Sequence, residues 1–104
     1  MSQRAAVKRA SIVVRYDGQS YRRDLAKCRR MLLQREIEGD FDDTAEFAAL
    51  AGLNPSTVHR WLNGAGPGAK ATTVRILAGL RLDFNDVHAR VDPTSAEDGP
   101  VTIP

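Results

Sequence analysis

The chain has 104 residues, of which 42% are hydrophobic and 27% charged, enough for one modest core and too few for two independent ones. No apolar run approaches the roughly 18 residues that a membrane-spanning helix needs. The single cysteine, Cys28, excludes an intramolecular disulfide and fits a reducing cytoplasm.

The formal net charge of +2 hides a pattern. Residues 1–35 hold ten Lys or Arg and two acids, and residues 36–53 hold six acids and no base. Residues 54–82 hold four bases and no acid, and residues 83–104 hold one base and five acids. Two basic zones parted by an acidic one predict a cationic face, the footprint expected for a polyanionic partner.

Residues 1–10 lack periodicity and read as a basic arm, with no apolar stretch of the secretory type. The β-branched run over 11–16 reads as a short strand, ended by the Asp17-Gly18 turn signal. Two continuations compete: residues 19–23 fold back as a hairpin partner, or Ser20 caps a helix. Tyr21, Leu25, Cys28 and Leu32 fall on one helical face. That favours a first helix over 21–37, ended by Gly39. Its other face carries Arg22, Arg23, Lys27, Arg29, Arg30 and Arg35. Cys28 sits on the apolar stripe and reads as a buried structural thiol.

Asp42 and Asp43 precede a second helix over 44–51, where acids suit the positive end of the dipole. Phe47, Ala48, Leu50 and Ala51 supply its apolar side, and Gly52 ends it. Asn54 as cap and Pro55 at the first position start a third helix over 56–62, which stops at Asn63-Gly64. Residues 65–69 form a loop. A fourth helix over 72–80 offers Val74, Leu77, Ala78 and Leu80 to the core, and Leu82, Phe84 and Val87 predict a short last helix capped by Asp83 or Asn85. Residues 92–104 read as an acidic, proline-containing tail, with a candidate strand over 101–103. The expected organisation is an arm and strand over 1–19, a helical domain over 20–91 and a tail over 92–104.

Residues 44–64 meet the packing demands of a helix-turn-helix. Ala48 is small where the helices cross. Gly52 can take positive φ in the turn, and Leu53 plugs that turn into the core. Val58 anchors the second helix, and Trp61 packs one turn later on the same side. This spacing resembles the helix-turn-helix of the lambda repressor and Cro family, over about residues 25–87. The resemblance implies an all-α fold of four to five short helices, here with a short N-terminal strand added. It also implies that the front of the 54–62 helix enters the major groove. By position, Asn54, Ser56, Thr57 and Arg60 then face base edges, and the Arg60 fork matches guanine O6 and N7. Thr44, His59, Asn63 and Lys70 become phosphate contacts. Thr44 departs from the glutamine common there. Leu62 replaces a frequently charged residue, so it is expected to pack against something additional, such as a second subunit.

No nucleophile stands at a recognisable spacing from His59, and one cysteine with two distant histidines makes a poor zinc site. The expectation is therefore a non-enzyme without metal, cofactor or small-molecule ligand. The resemblance further implies a cytoplasmic, bacterial or phage-like transcription regulator, most simply a repressor, expected to act on double-stranded DNA as a homodimer. Dimerisation would use residues 12–16, 101–103 or the helix over 84–87, and because an unpaired β-branched strand seeks a partner edge, residues 12–16 are the favoured element. An architectural, partition or recombination accessory role, or that of an antitoxin, is the alternative.

Overall fold

The computed structural model describes residues 9–91; the first eight residues of the expected arm, the tail over 92–104 and its strand over 101–103 lie outside them. The first described element is strand β1 (Ser11–Tyr16), and β2 (Gln19–Asp24) pairs with it antiparallel, from Tyr16↔Gln19 to Ser11↔Asp24. Asp17 and Gly18 have φ of 54° and 80°, the positive pair that a two-residue hairpin turn uses to match strand twist. A third strand, β3 (His88–Arg90), adds antiparallel to β2, giving the order β1-β2-β3.

The fold is therefore mixed α/β, a three-stranded antiparallel sheet with five helices among the described residues, and the all-α expectation is overturned. The helix expected from residue 21 begins later, as α1 (Leu25–Ile37), where Asp24 caps it by accepting from the Lys27 N–H at 2.9 Å. Tyr21 shares the spacing of the Leu25, Cys28 and Leu32 stripe, yet the preceding turn sends it back along β1 opposite Val14. The premise of an unpaired strand also falls, since β1 is paired along its length with β2.

Beyond α1 the helices follow their local signals. In α2 (Thr44–Ala51) Asp43 accepts from the Glu46 N–H, and Glu46 accepts in turn from the Asp42 N–H. Gly52 closes α2 at φ 75°, and the Leu53 N–H donates to the Ala48 carbonyl at 2.8 Å. Asn54 caps α3 (Pro55–Asn63), with Pro55 at its first position. The next helix, α4 (Lys70–Leu80), starts two residues earlier than expected and ends on Arg81 with φ 60°, a conformation costly for a residue with a Cβ. Reciprocal Asp83 and Asp86 caps open the short α5 (Phe84–Val87).

Leu25, Cys28 and Leu32 from α1 meet Phe47 and Ala48, then Val58, Trp61 and Leu62, then Ile76, Leu77 and Leu80 in one buried cluster. Each large side chain sealed there contributes about 1.5–3 kcal/mol. Leu62 belongs to this core rather than to a surface awaiting a second subunit. The expected apolar sides of α2 and α4 need adjusting. Leu50 is 70% exposed, Val74 is 53% exposed and Ala78 is exposed, while Ile76 and Thr73 turn inward.

Candidate nucleic-acid interface

α3 is divided lengthwise. Val58, Trp61 and Leu62 are buried, at one- and three-residue spacings that keep them on one side. Asn54, Ser56, Thr57, His59, Arg60 and Asn63 are exposed. The helix is thus held by its apolar side and presents donors and acceptors outward.

Two grooves flank the exposed side. The first, about 240 Å³, lies between α3 and the 65–69 loop and brings together Ser56, Thr57 and Arg60. Gly66, Gly68, Ala69 and Thr72 line its far wall. The first turn of α4 forms part of that wall and has no side-chain cap. The second groove, about 210 Å³, lies toward α1 and gathers Thr44, His59 and Asn63 with Arg29 and Glu36.

Three of the four expected phosphate contacts therefore share one groove, and three of the four expected base contacts share the other. The remaining two stand apart. Asn54 Oδ1 accepts from the Ser56 N–H at 2.9 Å and the Ser56 hydroxyl at 2.7 Å, so that oxygen is engaged in capping α3. Lys70 pairs with Asp17 at 3.0 Å across from the hairpin turn. The hydrogen bond and charge of Asp17 raise the Lys70 pKa.

What holds α3 in place was only partly legible in the sequence. Arg23, expected on a solvated helix face, is fully buried on β2. Its guanidinium carbon lies 4.2 Å from the centroid of the Trp61 ring, within the range of a cation–π contact. It donates to His88 Nε2 at 2.9 Å, the Pro67 carbonyl at 3.0 Å, Tyr16 Oη at 2.7 Å and Thr73 Oγ1 at 3.2 Å. Thr73 Oγ1 also accepts from Trp61 Nε1 at 2.9 Å. Tyr16 Oη lies 2.7 Å and 2.9 Å from the Pro67 and Gly68 carbonyls, to which it can donate. These bonds tie the sheet to α3, α4 and the loop that walls the first groove.

The cluster balances a buried cation with neutral acceptors. Burial lowers the Arg23 pKa, with Tyr16 opposing. Burial likewise pushes His88 down to about 4, Arg23 adding to the effect and the bond to the Phe84 carbonyl opposing it. Neutral His88 then accepts at Nε2 and donates from Nδ1 to the Phe84 carbonyl, 2.9 Å away. The Phe84 ring stacks on the imidazole at 3.9 Å. Arg29, expected in solvent, instead donates to the Leu62 carbonyl at 2.7 Å and the Arg9 carbonyl at 2.8 Å, joining the end of α3 to the start of the hairpin. The only sequence signal for either arginine was its presence in a basic run.

Burial raises the Cys28 thiol to about 11, so it stays protonated and a poor nucleophile at neutral pH. Among the described residues, no group of three or more His, Cys, Asp or Glu is placed to hold a metal ion. No described helix is long and apolar enough to cross a membrane. Comparisons of the chain with protein-family models, with curated proteins and with solved structures find no match.

Proposed function

We propose that the protein binds double-stranded DNA sequence-specifically, with α3 in the major groove, and acts as a transcription regulator, most simply a repressor that occludes a promoter. The observation that carries this reading is the division of α3. Val58, Trp61 and Leu62 fix the helix in the core while Ser56, Thr57 and Arg60 open on one groove. A short helix gripped on one side and polar on the other fits the way a helix-turn-helix presents its second helix to base edges. Arg60 is the direct reader, since its planar fork can engage guanine O6 and N7 together. Ser56 and Thr57 supply further hydroxyl contacts. Thr44, His59 and Asn63 meet phosphates and set the register. A nine-residue helix reads few base pairs, so the active species is a homodimer on a two-fold symmetric site in the cytoplasm.

Selection of bound duplexes from a random pool at fixed salt tests the reading. The expected result is a consensus with two symmetric halves about one helical turn apart. Recovery of duplexes without any consensus would overturn sequence-specific recognition.

A further inference from the structure

We infer that the β1–β2 hairpin is a second DNA-contacting element, whose basic groove beside the 64–67 loop takes the phosphodiester strand flanking the bases read by α3. This inference rests on the DNA-binding reading above and extends it to a part of the fold outside the helix-turn-helix.

The groove measures about 480 Å³ and runs between β1 and the loop, with Arg9 and Arg22 as its charged residues and no carboxylate in its lining. Both arginines are exposed. Arg22 forms the rim, since its other side borders a separate hollow that holds Asp24 and Asp86. Continuity places the hairpin groove beside the reading site: Ala65 and Gly66 line both it and the groove that holds Ser56, Thr57 and Arg60. A backbone leaving the α3 groove across this loop therefore meets Arg9 and Arg22 next.

Gly66 gives a second, independent observation. The neighbouring glycines have internal reasons. Gly64 has φ +81° and a Cβ there would crowd Arg9, Leu25 and Ile12; Gly68 has φ +72° and a Cβ would press on Trp61 at 2.9 Å. Gly66 has neither positive φ nor any atom within 4 Å of an added Cβ. Neither the local conformation nor internal packing demands glycine at the ridge between the two grooves. An external backbone pressed against this ridge would supply such a demand. The hairpin that carries Arg22 is bonded to that ridge through Tyr16 and the Pro67 and Gly68 carbonyls, and the Arg9 backbone is tied to α1 by the Arg29 bond to its carbonyl, which sets both positions relative to α3.

The test uses the full chain and a duplex carrying the selected site with flanks on both sides. Arg9→Gln and Arg22→Gln should each reduce the salt slope of log affinity by about 1, shorten the backbone footprint on one flank and leave the consensus unchanged. Gly66→Val should weaken binding while leaving the thermal midpoint unchanged. Arg60→Ala should relax the consensus while keeping the footprint length. Unchanged slope and footprint in both arginine variants, with Arg60→Ala still losing base preference, overturns the hairpin contact and leaves the DNA-binding reading intact. Failure of the unsubstituted chain to bind any selected duplex overturns both.

Discussion

The Arg23 guanidinium lies beneath Trp61, 4.2 Å from its ring centroid, and donates a hydrogen bond to each of four acceptors drawn from β1, β3, α4 and the loop before α4. A single strand residue thereby fixes the anchor of α3 relative to the sheet. Removing it leaves the buried Thr73 and His88 acceptors and the Pro67 carbonyl with fewer donors, and the indole without its underlying cation. Hydrogen bonds to charged groups contribute about 1.5–3 kcal/mol each and are not additive. Arg23→Ala should therefore lose about 3–5 kcal/mol of stability in denaturant unfolding. Arg23→Lys should recover only part of it, because a point charge cannot reproduce the planar fork. Stability within 1 kcal/mol of the unsubstituted chain in Arg23→Ala, roughly the effect of an ordinary surface change, would show that the cluster is dispensable.

His88 makes stability depend on pH in a defined window. Its folded pKa of about 4 lies below the ordinary 6.5. The unfolded chain takes up a proton as pH falls through 6.5, while the folded chain resists until about 4. Stability is thus complete above about 6.5 and declines toward 4, by roughly 3 kcal/mol at most. His88→Gln should flatten that part of the curve, with the carboxylate titrations common to both proteins. Parallel stability curves for the two chains between pH 6.5 and 4 would contradict a neutral, buried imidazole.

Gly79 sits inside α4, where alanine would ordinarily be the better helix former by about 1 kcal/mol. An added Cβ, however, would stand 2.6 Å from Cε1 and 2.9 Å from Cζ of Phe47, a buried ring facing Phe41 at 5.1 Å between centroids. Overpacking of a sealed ring costs about 1–3 kcal/mol. Gly79→Ala should therefore destabilise the protein by about 1 kcal/mol despite the helix propensity. A rise in the thermal midpoint would show that Phe47 has room to move.

The stretch from Asp43 to Asn63 is the most legible in sequence. Asp43, Gly52, Asn54 and Pro55 act locally, through caps and a left-handed turn, and α2 and α3 appear where those signals put them. The sheet was harder to read. β2 carries Arg22 and Arg23 instead of β-branched residues, and its Tyr21 falls by spacing on the α1 stripe, so local pattern favours a helix there. β3 has three residues and no apolar pattern. The inward turn of Arg23 depends on Tyr16, Pro67, Thr73 and His88, the last 65 positions away. Spacing within a short window cannot reveal that partnership. Leu62 and Leu50 exchanged their expected environments for a similar reason, since the packing of α1 against α3 and of α2 against α4 decides which side of each helix is covered.

Arg60 offers the most direct test of sequence reading by α3. Binding of the Arg60→Ala variant should be compared with that of the unsubstituted chain on the selected duplex and on single-base variants of it, at one salt concentration. One base position per half-site should lose about 1–3 kcal/mol of discrimination in the variant, with its unfolding midpoint unchanged because the side chain is exposed. Identical affinities and base preferences for the two proteins across the whole set would contradict a reading helix at α3.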